Sequence, residues 1–356
     1  MKKNHYKVKK IIGGEFELNI DSLNFDSNID KYISKEEGTW TTSGRQAFCL
    51  ILNQLKSIGV KQIFLPSFLC NSILIPVLRS GLKFEFYKVH HDLSSDINPS
   101  KGSAILIIHY FGWFNPLASD LRKQSESFYL IEDATHIFLN SDYQLNSDRY
   151  YTFVSLRKHA GTIMGGWLNQ SIKLPESEKK VKRIALESLA ARFLKNIYIS
   201  DKNQNIDELF EKEYLNIFEY CEGFINEDKS SALIPNVAKY IIDSIDWHFI
   251  VRKRRENWLL LDELLDSKFK KINNRLDNGI VPLGYVIKTD NRTLIKKKLA
   301  KNKIYAPIHW PIPTLLDEKL FSCSLELYDK ILTIPIDQRY NHREIKYIAK
   351  NLLELH

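Results

Sequence analysis

The chain has 356 residues, 44% hydrophobic and 26% charged, which is the composition of a globular protein long enough to bury a large core. Its net charge of +8 comes from dispersed basic residues with no zinc-finger or basic-zipper pattern, so nucleic-acid binding is disfavoured and small anionic partners fit as well. No run approaches the ~20 apolar residues of a membrane span, the N-terminus lacks an apolar signal segment, and the cysteines form no CxxC pair. We therefore expect a cytoplasmic protein without a metal site.

The first half of the sequence predicts alternating strands and helices. After a lead-in over residues 1–37, with a possible short strand at 12–18, apolar runs predict strands and apolar residues at helical spacing predict helices. The predicted strands are 62–65, 83–89, 104–110, 128–132 and 151–154, and the predicted helices are 47–59, 68–81 and 117–124. This alternation indicates an α/β fold with a mostly parallel, doubly wound sheet.

The second half of the sequence indicates a different layout. Residues 170–240 are rich in charged helical segments, and a long helix is predicted over about 235–265. Beyond it, the predicted strands are 284–288, 304–310 and 331–336, and the predicted helices are 291–301 and 342–355. This α+β pattern predicts two domains, a large one over 1–240 and a smaller C-terminal one over 241–356.

Polar residues follow two of the predicted parallel strands. Asp133 comes after the strand at 128–132, and Ser155 and Lys158 follow the strand at 151–154. Ligands of doubly wound sheets gather at the carboxyl ends of the strands, so we expect these side chains at one site. Burial of a lysine favours its neutral amine, a nucleophile that can form a Schiff base. The alternative is an ordinary surface lysine.

A third polar segment precedes the helix predicted at 47–59. Ser43 is a favoured N-cap residue, so the backbone N–H groups of Ser43, Gly44 and Arg45 would lie at a helix N-terminus. Such an N-terminus is a ready site for an anion. The alternative is a helix cap without a ligand.

Three motifs follow one another in the chain: LIEDATH at 130–136, SLRK at 155–158 and the glycine pair at 165–166. They are accompanied by a Pro-Ser turn within 63–81, the sequence HYFG at 109–112 and the C-terminal segment 331–352. In order and spacing, these pieces resemble the DegT/DnrJ/StrS family of sugar aminotransferases, which are fold-type-I enzymes that use pyridoxal 5′-phosphate (PLP). The resemblance extends from about residue 40 to residue 355.

The resemblance implies a fold-type-I structure and a role for each motif residue. Lys158 matches the Schiff-base lysine, which also acts as general acid and base. Asp133 matches the carboxylate beside the pyridine nitrogen, and His136 matches a residue near the ring hydroxyl. Ser155 would bind the phosphate together with the turn Ser43-Gly44-Arg45, which stands where the family has Ser-Gly-Thr.

Other positions depart from the family pattern. The guanidinium of Arg45 would contact the phosphate or a substrate anion. The residue that stacks on the cofactor ring is Phe68 or Cys70.

His309 and Trp310 match a small-domain segment that lies over the active site, so the resemblance implies that they meet substrate.

The function implied is a homodimeric aminotransferase that moves an amino group from glutamate or glutamine to a keto-sugar. This sugar would be nucleotide-linked, and the product would serve polysaccharide, glycolipid or natural-product biosynthesis. The loop that crosses the dimer is not recognisable, and the candidates are Ser230-Ser231 or Asn236.

A second hypothesis is a sugar dehydratase or lyase, in which His replaces the lysine. His159 is adjacent to Lys158, but the Ser-x-x-Lys spacing favours Lys158. A third hypothesis is a non-catalytic, PLP-binding regulator.

Overall fold

The computed structural model describes residues 11–20, 23–24, 28–34, 37–124, 126–141, 143, 150–201, 208–227, 232–273 and 275–355, so Ser230-Ser231 lie outside the described residues. The strands are β1 (Ile12–Gly13), β2 (Thr39–Thr41), β3 (Gln62–Pro66), β4 (Lys83–Tyr87), β5 (Ala104–Ile108), β6 (Tyr129–Asp133), β7 (Tyr151–Ser155), β8 (Gly166–Leu168), β9 (Lys270–Lys271), β10 (Tyr285–Lys288), β11 (Ile304–Tyr305) and β12 (Ile331–Ile334). The α-helices are α1 (Gly44–Ser57), α2 (Asn71–Ser80), α3 (Leu117–Lys123), α4 (Lys179–Ser200), α5 (Glu208–Glu227), α6 (Asn236–Asp243), α7 (Trp247–Leu265), α8 (Arg292–Lys301), α9 (Ser322–Lys330) and α10 (His342–Leu353). Within these described ranges, none of the helices combines the length and the apolar character needed to cross a membrane.

The central sheet has seven strands in the order β2-β8-β7-β6-β5-β3-β4. The five strands from β7 to β4 are parallel, whereas β8 pairs antiparallel with β7, and β2 pairs antiparallel with β8. Every residue of β5 is buried, as expected for a strand with both faces covered. The predicted mostly parallel sheet is therefore confirmed.

The C-terminal part has a core of its own. β10 lies between β12 and β9 in a three-stranded antiparallel sheet, and apolar side chains from α7, α8 and α10 pack with it into one cluster. Helix α7 contributes Trp258 and Leu261 to this cluster and Trp247 to the cluster beneath the large sheet. One helix thus joins the two parts, and the boundary at 240/241 stays a prediction.

The prediction of a single long helix over 235–265 is wrong, because the chain forms two helices there, α6 and α7. The side chain of Asp246 accepts a hydrogen bond from the Phe249 backbone N–H at 3.0 Å and caps a new helix. Aspartate is a favoured N-cap residue because its carboxylate satisfies an N–H group that the first turn leaves free. The break at Ser244–Asp246 therefore has a local cause.

Three further predicted elements are shorter than expected. The strand predicted over 304–310 is β11 alone, since Pro307 has no N–H to give to a ladder. The strand predicted over 12–18 is β1 alone, because Gly13 and Gly14 turn the chain with φ of 93° and 69°. The helix predicted from residue 68 begins at Asn71, since the hydroxyl of Tyr328 accepts a hydrogen bond from the Leu69 N–H at 2.8 Å and holds this backbone outside the helix.

Candidate active site

A cavity of about 260 Å³ lies at the carboxyl ends of β6 and β7, beside the N-terminus of α1. Parallel strands end at the same edge of a sheet, so residues from segments far apart in the chain meet there. The residues that the sequence predicts for cofactor binding and that line this cavity are Ser43, Gly44, Arg45, Asp133, His136, Ser155 and Lys158.

The N-terminus of α1 lies very close to the end of β7. Ser43 is the N-cap, as predicted, and its hydroxyl accepts a hydrogen bond from the Gln46 backbone N–H at 3.2 Å. A Cβ on Gly44 would lie 2.8 Å from the Cβ of Ser155, so the approach of helix and strand requires glycine. The first turn of α1 has no acidic residue. It therefore offers an anion the backbone N–H groups and the positive end of the helix dipole.

Asp133 is the last residue of β6, and its Oδ1 accepts a hydrogen bond from the Thr135 backbone N–H at 3.0 Å. Burial raises the pKa of the Asp133 carboxyl above its ordinary value, although the hydrogen bonds from Thr135 and the positive charge of Lys158 offset part of the rise. A cation placed beside this carboxylate would favour its ionised form. Asp133 therefore suits a protonated nitrogen of a ligand in the cavity.

His136 belongs to an aromatic wall of the cavity. Its ring stacks on Phe111, with ring centroids 5.9 Å apart, and on Trp310, with centroids 6.3 Å apart. Its Nδ1 accepts a hydrogen bond from the Phe111 backbone N–H at 3.1 Å, which places the proton of the neutral ring on Nε2. Burial, reinforced by nearby cationic and imidazole groups, holds the pKa of His136 well below its ordinary value. The ring is therefore a neutral hydrogen-bond donor at physiological pH.

Lys158 ends a short 3-10 helix that follows β7. Its side chain is exposed, so the expectation of a buried lysine is wrong for the single chain. The physical reason is that Lys158 lies where two cavities meet: it lines the first cavity and a second one of about 450 Å³. The second cavity is also bordered by Phe16, Lys296 and Tyr305. An amine in this position can be reached from two sides.

The sequence pattern does not predict several residues of the site. Arg157 forms an ion pair with Glu222 of α5, and Glu15 of the lead-in lines both cavities. Thr135 accepts a hydrogen bond at Oγ1 from the Ser155 backbone N–H at 3.1 Å, which ties the end of β7 to the end of β6. Arg157 could have been proposed from the sequence, because it is adjacent to Lys158. No sequence pattern indicates Glu15 or Glu222, because they reach the site through packing between segments distant in the chain.

Comparisons with protein-family models and with curated protein sequences found no match. Solved structures do match. The Streptococcus pneumoniae protein Spr1654 in its PLP form, described as a candidate sugar aminotransferase, is similar with a TM-score of 0.65 at 13% identity, over 95% of this chain and 91% of that one. A DegT/DnrJ/EryC1/StrS aminotransferase from Brucella abortus has a TM-score of 0.64 at 15% identity, and DesV from S. venezuelae has 0.64 at 16%, each over 96% of this chain and 91% of its own. This chain has the fold of the fold-type-I aminotransferases.

The structure distinguishes between the two members of two pairs of candidate residues: Phe68 and Cys70, and His309 and Trp310. Cys70 lines the first cavity, whereas Phe68 is fully buried and packs on Trp310 at a ring distance of 5.2 Å. Trp310 lines the cavity, whereas His309 is half-buried with Nδ1 2.8 Å from the Thr333 hydroxyl. Ring stacking by Cys70 and substrate contact by His309 stay predictions.

Proposed function

We propose that the protein is a PLP-dependent aminotransferase that transfers an amino group from an amino acid to a keto-sugar. The observation that carries this proposal is that Asp133 and Lys158 line one cavity at the ends of neighbouring parallel strands of a fold-type-I sheet. Binding of a cofactor alone does not need both a buried carboxylate and an accessible amine. An aminotransferase needs both, one for the ring nitrogen and one for the aldehyde carbon.

The residues around the cavity fit PLP at both ends. Asp133 would keep the ring nitrogen protonated, because a buried carboxylate is stabilised by a cationic partner. The N-terminus of α1 and the hydroxyl of Ser155 would hold the phosphate, which Gly44 allows to approach. His136 would donate its Nε2–H to the ring oxygen. When bound, PLP supplies an electron sink for the carbon that loses its proton.

Lys158 would have two tasks in succession. It would hold the cofactor through the aldehyde carbon, with loss of one water molecule, and be released as a free amine when the amino donor takes its place. The free Nζ would then accept the proton from the donor's carbon and return a proton later, as a general base and acid. Its position between the two cavities supports both tasks.

The second cavity supports an anionic acceptor substrate. Three basic residues border it: Arg157, Lys158 and Lys296 on α8. Among the described residues that line this cavity, one, Glu15, is acidic. Tyr305 is exposed beside them and offers an aromatic face. We propose a nucleotide-linked keto-sugar as acceptor and glutamate or glutamine as donor, for the synthesis of a polysaccharide, glycolipid or natural product.

We also propose that the protein acts as a homodimer in the cytoplasm. Exposed apolar side chains on α4 and α5, among them Leu186 and Leu215, support a protein interface there. Asn236, the first residue of α6, is the described candidate for a residue that crosses the dimer. Sedimentation velocity should give twice the chain mass at micromolar concentration; a monomer that is fully active would contradict the dimer.

The dehydratase hypothesis requires His159 to take the place of the lysine. His159 is fully buried, and its Nε2 lies 2.8 Å from the carbonyl oxygen of Thr135. Among the described residues that line the two cavities, Lys158 is present and His159 is not. This placement favours transamination.

The test of the proposed function is the half-reaction with an amino donor. Protein loaded with PLP should change from the absorbance of the aldehyde form to that of the amine form when glutamate or glutamine is added, because the cofactor keeps the amino group. Lys158→Ala should abolish this change, and Lys173→Ala, an exposed lysine away from the cavities, should not affect it. Full conversion by Lys158→Ala would overturn the assignment.

A further inference from the structure

Three of the described residues line both cavities and form the partition between them: Glu15, Arg157 and Lys158. The other described basic residues around the two cavities line one cavity each, Arg45 the first and Lys296 the second. Lys158 is the proposed point of attachment of the cofactor. Arg157 is therefore the second cation that a ligand can meet from either side of the reacting amine.

The guanidinium of Arg157 is fixed through one nitrogen and leaves another without a partner. Its Nη2 pairs with the carboxylate of Glu222 on α5. Its Nε is buried and has no hydrogen-bond partner in the described part of the chain. A buried donor without a partner costs free energy that an acceptor on a ligand would recover. The planar fork of a guanidinium suits the oxygens of a carboxylate.

The carboxylate of Glu15, which lines the same partition, does not bar a further anion. Partial burial alone would raise the pKa of Glu15, but four neighbouring cations outweigh it and hold the pKa below its ordinary value. These cations are Arg192, Arg157, Lys158 and Lys195. Glu15 is therefore ionised, and its negative charge is compensated by the cations around it.

An amino donor brings a carboxylate to this partition. An α-amino acid carries its carboxylate on the carbon that bears its amino group. When the amino nitrogen takes the place of Nζ of Lys158 at the aldehyde carbon, the carboxylate must lie beside that position. Arg157 precedes Lys158 in the chain and lines the same two cavities, so among the described cations it is the one placed to bind this group.

We propose that Arg157 binds the α-carboxylate of the amino donor and thereby selects amino acids over simple amines. The inference rests on the proposed function, since the donor reacts at Lys158, and it adds the group by which the donor is recognised. Donor and acceptor occupy the site in turn, so this role is compatible with the place of Arg157 in the wall of the acceptor cavity. Arg157 is a binding residue and takes no part in proton transfer.

The experiment compares two reagents that attack the aldehyde carbon and differ in a carboxylate, aminooxyacetate and methoxyamine. The nitrogen of the reagent bonds to that carbon and the bond from the carbon to Nζ breaks. Lys158 then leaves as a free amine that has taken up the two nitrogen protons of the reagent, and nothing is oxidised or reduced. The loss of the absorbance of the lysine-bound cofactor gives a rate constant for each reagent without any turnover.

The ratio of the two rate constants is measured for the wild type, Arg157→Gln and Arg79→Gln. We expect Arg157→Gln to lower the aminooxyacetate-to-methoxyamine ratio about 10-fold or more, because hydrogen bonds to a charged group are lost, and to change the methoxyamine rate less than about 2-fold. The concentration of L-glutamate or L-glutamine that half-saturates the half-reaction should rise with it.

Arg79→Gln is the matched control, and its ratio should equal that of the wild type. Nη2 of Arg79 donates to the carbonyl oxygen of Asn226 on α5 at 3.1 Å, so this arginine also contacts α5, but it lines neither cavity. Equal losses in Arg157→Gln and Arg79→Gln would overturn the proposal, since both residues would then act only by attaching α5.

Two results separate this inference from the proposed function. An unchanged ratio in Arg157→Gln would overturn the carboxylate subsite and leave the proposed function standing, because both reagents would still report a cofactor on Lys158. If the wild type binds no PLP at Lys158, the proposed function fails and the donor subsite fails with it. Should Arg157→Gln not fold, the double variant Arg157→Gln/Glu222→Gln leaves no unpaired charge; its ratio should fall equally, and a wild-type ratio there would contradict the proposal.

Discussion

Asp133 and Lys158 stand at the ends of neighbouring strands in very different surroundings. The Asp133 side chain is half-buried, and burial raises the pKa of its carboxyl, whereas Lys158 is exposed between two cavities. The sequence predicts both residues because each follows an apolar strand in a fixed motif order. It does not predict the exposure of Lys158 or the ion pair between Arg157 and Glu222, since these depend on how the lead-in and α5 pack against the site.

At the residue scale, Asp133→Asn tests the role of the carboxylate. The amide is similar in size and can still accept the Thr135 N–H, but it cannot balance a protonated ring nitrogen. We expect PLP binding to weaken about 10- to 100-fold, the range for loss of a hydrogen bond to a charged group, and the half-reaction with glutamate to slow by a larger factor. The control is Asp120→Asn, an exposed carboxylate on α3. A half-reaction at the wild-type rate would make Asp133 a purely structural residue.

Strands and helices that are long enough to show a hydrophobic periodicity are predicted well from the sequence. Elements that form only by pairing with a segment distant in the chain are not. Strands β3, β5 and β6 and helices α3, α8 and α10 appear within a few residues of their predicted bounds. The three-residue strands β2 and β8 were not predicted, because so short a segment has no periodicity and forms only by pairing across the chain. These two strands complete the edge of the sheet nearest to β7, where a Cβ on Gly166 would lie 2.2 Å from the carbonyl group of Ser43.

The contact between α1 and β7 gives a prediction at this scale. Gly44→Ala should raise helix propensity, but its Cβ would lie 2.8 Å from the Cβ of Ser155, so we expect a net loss of about 1–3 kcal/mol in the free energy of unfolding. Gly223→Ala is the matched control in α5, where a Cβ would meet nothing within 4 Å. This variant should gain about 0.5–1 kcal/mol. Urea unfolding measures both, and equal shifts in the two variants would contradict the close approach at Gly44.

At the scale of the whole molecule, the sequence predicts the sheet type and the order of the parts but not how buried charges connect them. The carboxylate of Glu132 is fully buried on β6 and joins three elements. It lies 2.8 Å from Nε2 of His109, which follows β5, and it accepts two hydrogen bonds from Arg122 on α3 at 2.8 Å. Burial alone would raise the pKa of Glu132, but the hydrogen bonds from His109 and Arg122 outweigh it and hold the pKa at about 2.

Because of this network, we expect the free energy of unfolding to depend on pH in the acidic range. The folded pKa of Glu132 lies below its ordinary value of 4.5, so its contribution is fully present above about pH 4.5 and is lost as the pH falls towards 2. The shift corresponds to about 3 kcal/mol. Glu132→Gln should be less stable at pH 7, and the difference from the wild type should shrink between pH 5 and pH 2. Urea unfolding across this range measures it; a difference that is constant with pH would contradict the network.

We propose that Lys158 holds PLP covalently in a catalytic site. The absorbance spectrum of the PLP-loaded protein before and after borohydride, with peptide mapping of the reduced product, tests this covalent link. We expect a yellow protein that loses its colour on reduction and carries the cofactor on the peptide that contains Lys158. A protein that stays colourless with added PLP, or a reduced cofactor on another lysine, would contradict it.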